Sequence, residues 1–195
     1  MADDQPRDII RDPKRLRALS HPLRWKLLNV LDSEGSATAT RCAEATGESV
    51  ASCSYHLNML AKYDFITEAE GGQGREKPWK LTTREQSWSG EGLDLEGRLA
   101  AEATTEAFLD HEFEAIRSRI KRRDAEPQEW RKPTGIAAGT VYLTIEEAQE
   151  IRDQIIKLMD EHIERHEHPE LRPEGARQVR LFTAMFLNPP PPRNQ

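Results

Sequence analysis

Three apolar patterns of helical period, followed at once by two extended runs joined through glycines, leave few folds open to residues 16–83. Leu23, Leu27, Val30 and Leu31 recur at helical spacing behind Pro22, whose fixed φ suits a first helical turn, so a helix is expected from near Pro22 to just before Gly35. A second, short helix is expected from about Ala39 to Ala45, closed by Gly47 as a left-handed C-terminal residue. The third begins behind Ser49 as N-cap and carries Val50, Cys53, Leu57 and Leu60 on one apolar stripe.

The opposite face of the third helix is therefore free. It carries Ser52, Ser54, Tyr55, Asn58 and Lys62, which offer hydroxyls, an amide and a cation able to bond phosphates or base edges, with no run of carboxylates to repel them. Residues 65–70 and 78–82 then read as strands joined by a tip in which Gly71, Gly72 and Gly74 supply backbone freedom and Arg75 and Lys77 supply charge. Arginine on such a tip suits a narrow minor groove or a phosphate, although an ordinary hairpin with solvated charges has the same composition. The order of these elements is that of a winged helix–turn–helix, whose usual work is reading duplex DNA.

Three phrases resemble the ArsR-type family of bacterial transcriptional regulators: Leu19-Ser20-His21-Pro22-Leu23-Arg24, then Ser54-Tyr55-His56-Leu57 with Leu60, and Arg75-Glu76-Lys77-Pro78-Trp79. The third is similar to a subgroup common in actinobacteria. The resemblance covers residues 16–83 and implies a dimeric DNA-binding protein, often a repressor, with its recognition helix in the major groove and Ser54, Tyr55 and His56 in the DNA-reading segment. On this reading Ser52, Ser54, Tyr55 and Asn58 approach bases, His56 and Lys62 orient the helix on phosphates, and Arg75 with Lys77 sets the wing. His56 has an alternative role as a packed helix histidine bonded to the backbone. Where relatives have glycine after this helix the chain has Asp64, a residue that tolerates the left-handed conformation better than most.

The net charge of −6 looks unsuited to DNA until it is divided along the chain. From Pro13 to Arg84 eleven Lys/Arg face eight Asp/Glu, whereas from Glu85 onward fifteen face twenty-two. A mildly basic module joined to an acidic one is compatible with specific DNA binding, because the local field decides contact. No apolar run approaches the length that crosses a bilayer, and the charged stretch from Asp3 to Asp12 has no secretory apolar core, so a soluble, cytoplasmic protein without membrane contact is expected. Two cysteines, Cys42 and Cys53, give no disulfide framework and fall on apolar helix faces, where small buried hydrophobes are the ordinary reading.

Beyond Thr83 the pattern is less regular. A helix is expected from about Leu93 to Arg122, with Leu95, Leu99, Phe108, Leu109, Phe113, Ile116 and Ile120 as its apolar face and a dimer-pairing role or packing across its own domain as its two uses. Residues 140–143 and 179–187 read as strands around a helix opened by the capping box Thr144 to Glu147. Trp130, Tyr142, Phe182, Met185 and Phe186 are candidates for an apolar cleft, or simply for core.

His162 and His166, with Asp160 and His168 near them, have the four-residue spacing of a helical Zn²⁺ or Ni²⁺ pair, in a charged helix end that needs no metal to explain it. Phosphate-cradling loops, nucleophile elbows and metalloprotease motifs are all missing from the sequence, so no enzyme and no cofactor are expected. The expected architecture is mainly α with small β elements: a tail over 1–12, a winged helix–turn–helix over 13–84, a helical α+β dimerisation or ligand-sensing region over 85–188 and a proline-rich tail over 189–195. The expected function is a sequence-specific, homodimeric transcriptional repressor on an inverted-repeat operator, with duplex DNA, a second copy and a possible small-molecule effector as partners. A protein-interaction module on the same scaffold and a metal-responsive sensor through His162 and His166 are the competing readings.

Overall fold

A computed structural model describes residues 9–71, 77–83 and 86–189. The chain divides into two compact units, Met1–Ala125 and Glu126–Gln195.

In the first unit each helix starts at a cap that its own sequence supplies. Asp12 accepts from the Lys14 N–H at 2.9 Å and Pro13 sits at the first position of α1 (Pro13–Leu19). His21 Nδ1 accepts from the Leu23 N–H at 3.2 Å to open α2 (Pro22–Glu34). Thr38 opens α3 (Ala39–Thr46), and Gly47 closes it in the left-handed region with φ 75°. Ser49 accepts from the Ser52 N–H at 3.1 Å to open α4 (Val50–Lys62).

The exit from α4 is built on Asp64, whose φ of 61° is the one positive value at a non-glycine residue among the described residues. The Phe65 N–H donates to Leu60 O at 3.1 Å and the Asp64 N–H to Ala61 O at 3.1 Å, the bond pair of a Schellman motif, and Leu60 and Phe65 are both wholly buried. The chain thus turns directly into β2 (Ile66–Glu68), which pairs antiparallel with β3 (Trp79–Leu81) in the register Ile66 to Leu81. Ala37 adds a bridge on the far side of β3 through two backbone bonds with Trp79, at 3.0 and 2.9 Å. β1 (Ile9–Ile10) and β4 (Ser87–Trp88) form a separate parallel pair.

Leu16, Leu19, Leu27, Leu31, Leu57, Leu60 and Phe65 are wholly buried where α1, α2, α4 and the hairpin meet. Each such side chain contributes about 1.5–3 kcal/mol. α5 (Leu95–Lys121) packs on α1 and α2 and closes this core with small residues: Gly97, Ala100, Ala101, Thr104 and Ala107 face inward. Thr104 donates to Leu16 O of α1 at 2.7 Å, and Trp25, Trp88 and Phe108 pack ring to ring at 5.0–5.5 Å. The large apolar residues expected to form the inner face point outward instead, with Leu95, Leu99, Phe113 and Ile120 between 44 and 65 % exposed; only Phe108 of the expected set packs against the core. Close approach to α1 requires small side chains, and that requirement decides which face is buried. The compact unit consequently runs past Arg84, and the long helix assigned from sequence to the C-terminal region packs with the N-terminal one.

The second unit contains α6 (Gln128–Arg131), α7 (Ile145–Asp160) and α8 (Glu164–Glu167). The capping box forms as expected: the Glu147 N–H donates to Thr144 Oγ1 at 3.2 Å and the Thr144 N–H to Glu147 Oε2 at 2.8 Å. The α+β expectation is corrected here, since residues 140–143 and 179–187 form no strand and Tyr142, Phe186 and Leu187 stand in solvent. A strand persists only when a neighbour completes its ladder, and neither segment has one. The same exposure removes the cleft that Tyr142, Met185 and Phe186 were expected to line, while Trp130 packs instead under the Arg177 guanidinium at 5.8 Å.

Candidate nucleic-acid interface

α4 is held on three sides, by Cys53, Leu57 and Leu60 in the core and by α1, α2 and α3 around it, so its fourth side is presented rigidly. Along that side Ala51, Tyr55, Asn58 and Lys62 are exposed and Ser54 is half-buried. Tyr55 is the largest of them and is 59 % exposed. Asn58 Nδ2 donates to Ser54 O at 2.8 Å, which fixes the amide with its oxygen outward, and Lys62 reaches over the Tyr63 ring at 5.6 Å. The arrangement supplies a phenol, an amide and a cation along one ridge, a chemistry suited to base edges flanked by phosphates.

Not every expected contact joins this ridge. Ser52 is half-buried and lies about 100° around the helix from its centre. Lys77 is exposed but pairs with Glu68 of β2 at 2.5 Å, a surface ion pair that a phosphate could displace at little cost. Arg75 lies outside the described residues. Val50, expected in the core stripe, is the first residue of α4 and is 47 % exposed.

His56 is the main correction. It is buried, and its Nδ1 accepts from Arg24 Nε at 3.2 Å rather than pointing to a phosphate. Its ring lies 4.3 Å from that of His21, and the Tyr55 ring stands edge-on at 5.1 Å. Burial holds the His56 imidazole below its ordinary pKa, the neighbouring His21 and Arg24 push the same way, and Glu48 opposes them. Its position was readable: Cys53, His56, Leu57 and Leu60 together make the i, i+3, i+4, i+7 stripe of a buried face. Arg24, which sequence reasoning passed over as a site residue, is itself buried and donates through Nη1 to Ala18 O at 2.7 Å and Arg17 O at 3.2 Å. Burial lowers its pKa also.

Cys42 and Cys53 are both wholly buried, and burial pushes the Cys42 thiol up to about 11, so it is held as a thiol. The metal reading through His162 and His166 meets a geometric obstacle. Between α7 and α8 the backbone bonds run from His162 to Met159, Ile163 to Asp160 and His166 to Ile163, three residues apart, so the two histidines do not share a regular helix. His168 is engaged with Glu170 at 3.0 Å. Among the described residues no group of three or more His, Cys, Asp or Glu is arranged to hold a metal ion.

Residues 19–69 match the family model of a helix-turn-helix domain. The matched span runs from the end of α1 through β2 and contains the exposed ridge of α4. No curated protein matches the chain. Residues 19–69 therefore form a helix-turn-helix domain. Among the described residues no helix is long and apolar enough to cross a membrane.

Proposed function

We propose that the protein is a homodimeric, cytoplasmic transcriptional repressor of ArsR-like type, in which α4 reads bases in the major groove and the β2–β3 hairpin is the wing beside it. The observation that carries this reading is the ridge of Ser54, Tyr55, Asn58 and Lys62 on the outward side of a helix whose other sides are locked into the core. Lys77, on the tip side of β3, gives the wing charge to meet the backbone, and Arg75 stands two residues before it in the sequence. Nothing in this chemistry calls for catalysis, and the protein acts by binding.

The dimer is supported by α5. Its outward stripe of Leu95, Leu99, Phe113 and Ile120, with Leu109 and Ile116 half-buried beside them, is diametrically opposite the small-residue face that packs on α1. Glu102 and Glu106 interrupt this face, but the large apolar side chains on either side of them are stabilised by a partner, and a second copy of the same helix offers a matching set. Two-fold symmetry then sets two recognition helices on successive major grooves, about 34 Å apart, and calls for an inverted-repeat operator. A small-molecule effector would act on this dimer.

Selection of bound sequences from a random duplex library, with the full-length protein at near-physiological salt, tests the proposal. Enrichment of an inverted repeat is expected, and Tyr55→Ala should reduce the ratio of selected to scrambled affinity about tenfold, the equivalent of one bidentate base contact. Failure of a folded protein to enrich any sequence refutes the DNA-reading proposal and favours a protein partner.

A further inference from the structure

The buried contacts behind the α4 ridge carry more than packing. Arg24 is a buried cation whose bonds go to two carbonyls at the C-terminal end of α1, where the helix dipole is negative, and to one ring nitrogen of α4. That nitrogen, His56 Nδ1, accepts, so it carries no proton in this arrangement. His21 Nδ1 likewise accepts, from the Leu23 N–H, while the two rings lie 4.3 Å apart. Tyr55, the most prominent side chain of the ridge, stands edge-on against His56.

We propose that Arg24 and His56 are positioning residues for DNA reading: the bond from Arg24 Nε to neutral His56 Nδ1 fixes Tyr55, and a proton on Nδ1 releases it. The inference rests on the DNA-reading function proposed above. A proton on Nδ1 turns acceptor into donor, so the bond is lost and a second cation appears beside the guanidinium. The groups that act on the ring are His21 and Arg24 from α2 and Glu48 from the turn ahead of α4; Tyr55 from α4 and Tyr63 beyond its end act on Arg24, and α1 contributes its Arg17 and Ala18 carbonyls. Of these only Glu48 favours the charged ring. The sign follows. The neutral ring is present above the ordinary imidazole range, and because burial lowers the pKa the device is lost only as pH falls below about 6.5. A simple gain of positive charge near phosphates would act oppositely and raise affinity on acidification.

The test measures affinity of the full-length protein for the selected duplex and for a scrambled duplex at pH 7.5 and 5.5, and follows the His56 and Tyr55 ring signals by NMR without DNA. For the wild type we expect affinity for the selected duplex to fall at the lower pH, by less than tenfold because the lowered pKa leaves part of the ring neutral there, with a smaller change on the scrambled one. His56→Asn removes both the titrating nitrogen and the ring against Tyr55, so it should bind more weakly than wild type at pH 7.5 and lose the pH response. Arg24→Lys should lose about tenfold at pH 7.5, and the Tyr55 signals should move with the His56 titration. Wild-type affinity for the selected duplex that is flat or rises on acidification overturns the proposal, as does an unchanged pH response in His56→Asn or a Tyr55 ring indifferent to His56. If neither duplex is bound at either pH, the DNA-reading function itself fails, and the NMR titration still decides whether His56 controls Tyr55.

Discussion

Thr104→Val tests the attachment of α5 to the helix–turn–helix core with a change of a single atom type. Thr104 is wholly buried, and its hydroxyl lies 2.7 Å from Leu16 O across the helix interface and 2.9 Å from Ala100 O of its own helix. Valine keeps the shape and the β-branch but cannot donate, so Leu16 O loses its partner inside the protein. An orphaned buried acceptor costs about 1–3 kcal/mol, and the methyl that takes the place of the hydroxyl returns about 0.8 kcal/mol. The net destabilisation is about 0.2–2 kcal/mol, or up to about 8 °C in Tm for a unit of this size. Thermal and urea unfolding followed by tryptophan fluorescence reports on this unit, because Trp25, Trp79 and Trp88 of the four tryptophans lie within it. Thr104→Ser, which keeps the donor and removes only a methyl, should lose about 1 kcal/mol through lost burial. A Thr104→Val protein as stable as the wild type would refute the docking of α5 on α1 through this bond.

Asp64→Gly should stabilise the protein by up to about 1 kcal/mol in the same unfolding assay, since φ 61° is easier for glycine than for aspartate, whereas Asp64→Ala should not. Lys77→Ala should weaken selected and scrambled duplexes alike and reduce the slope of log affinity against log salt by about one, provided that the phosphate displaces Glu68. Phe113→Glu on the outward stripe of α5 should convert a dimer into a folded monomer in analytical ultracentrifugation, with the Tm of the unit changed little at the residue itself because Phe113 is exposed.

Local chemistry was the legible part of this chain. The starts of α2, α4 and α7 follow from Pro22, Ser49 and Thr144, and the end of α3 from Gly47, because caps act within a few residues of themselves. α1 carried the same kind of signal in Asp12 and Pro13, but seven residues beside a charged tail give little periodicity to read. Two features escaped because their causes are not local. The burial of Gly97, Ala100 and Thr104 rather than Leu99 and Phe113 depends on how near α1 lies, and a moment weighted toward large side chains points to the opposite face. The runs 140–143 and 179–187 have strand composition but lack a sheet to join, and β-propensity reports a fit to a sheet that must already exist. In the site itself the exposed ridge was readable from spacing. Arg24 was not, since its role comes from carbonyls of one helix and a ring of another.

Those carbonyls tie the two halves of the functional proposal together. Helix ends leave their last carbonyls without intrahelical partners, and in α1 they are taken in order: Leu16 O by Thr104 of α5, Arg17 O and Ala18 O by Arg24 of α2. Arg24 then reaches His56 of α4. The helix proposed to pair the protomers and the helix proposed to read DNA are thus anchored on three consecutive carbonyls of one short helix, so a displacement of α5 cannot be absorbed without moving the anchor of Arg24. The measurable form is a double-mutant cycle of Thr104→Val and Arg24→Lys on affinity for the selected duplex. Residues this close through a shared element should couple by about 0.5–1.5 kcal/mol. Strict additivity of the two changes, with both proteins folded and dimeric, would mean that α5 and α4 hold α1 independently and that dimer geometry reaches the DNA-reading surface by another route.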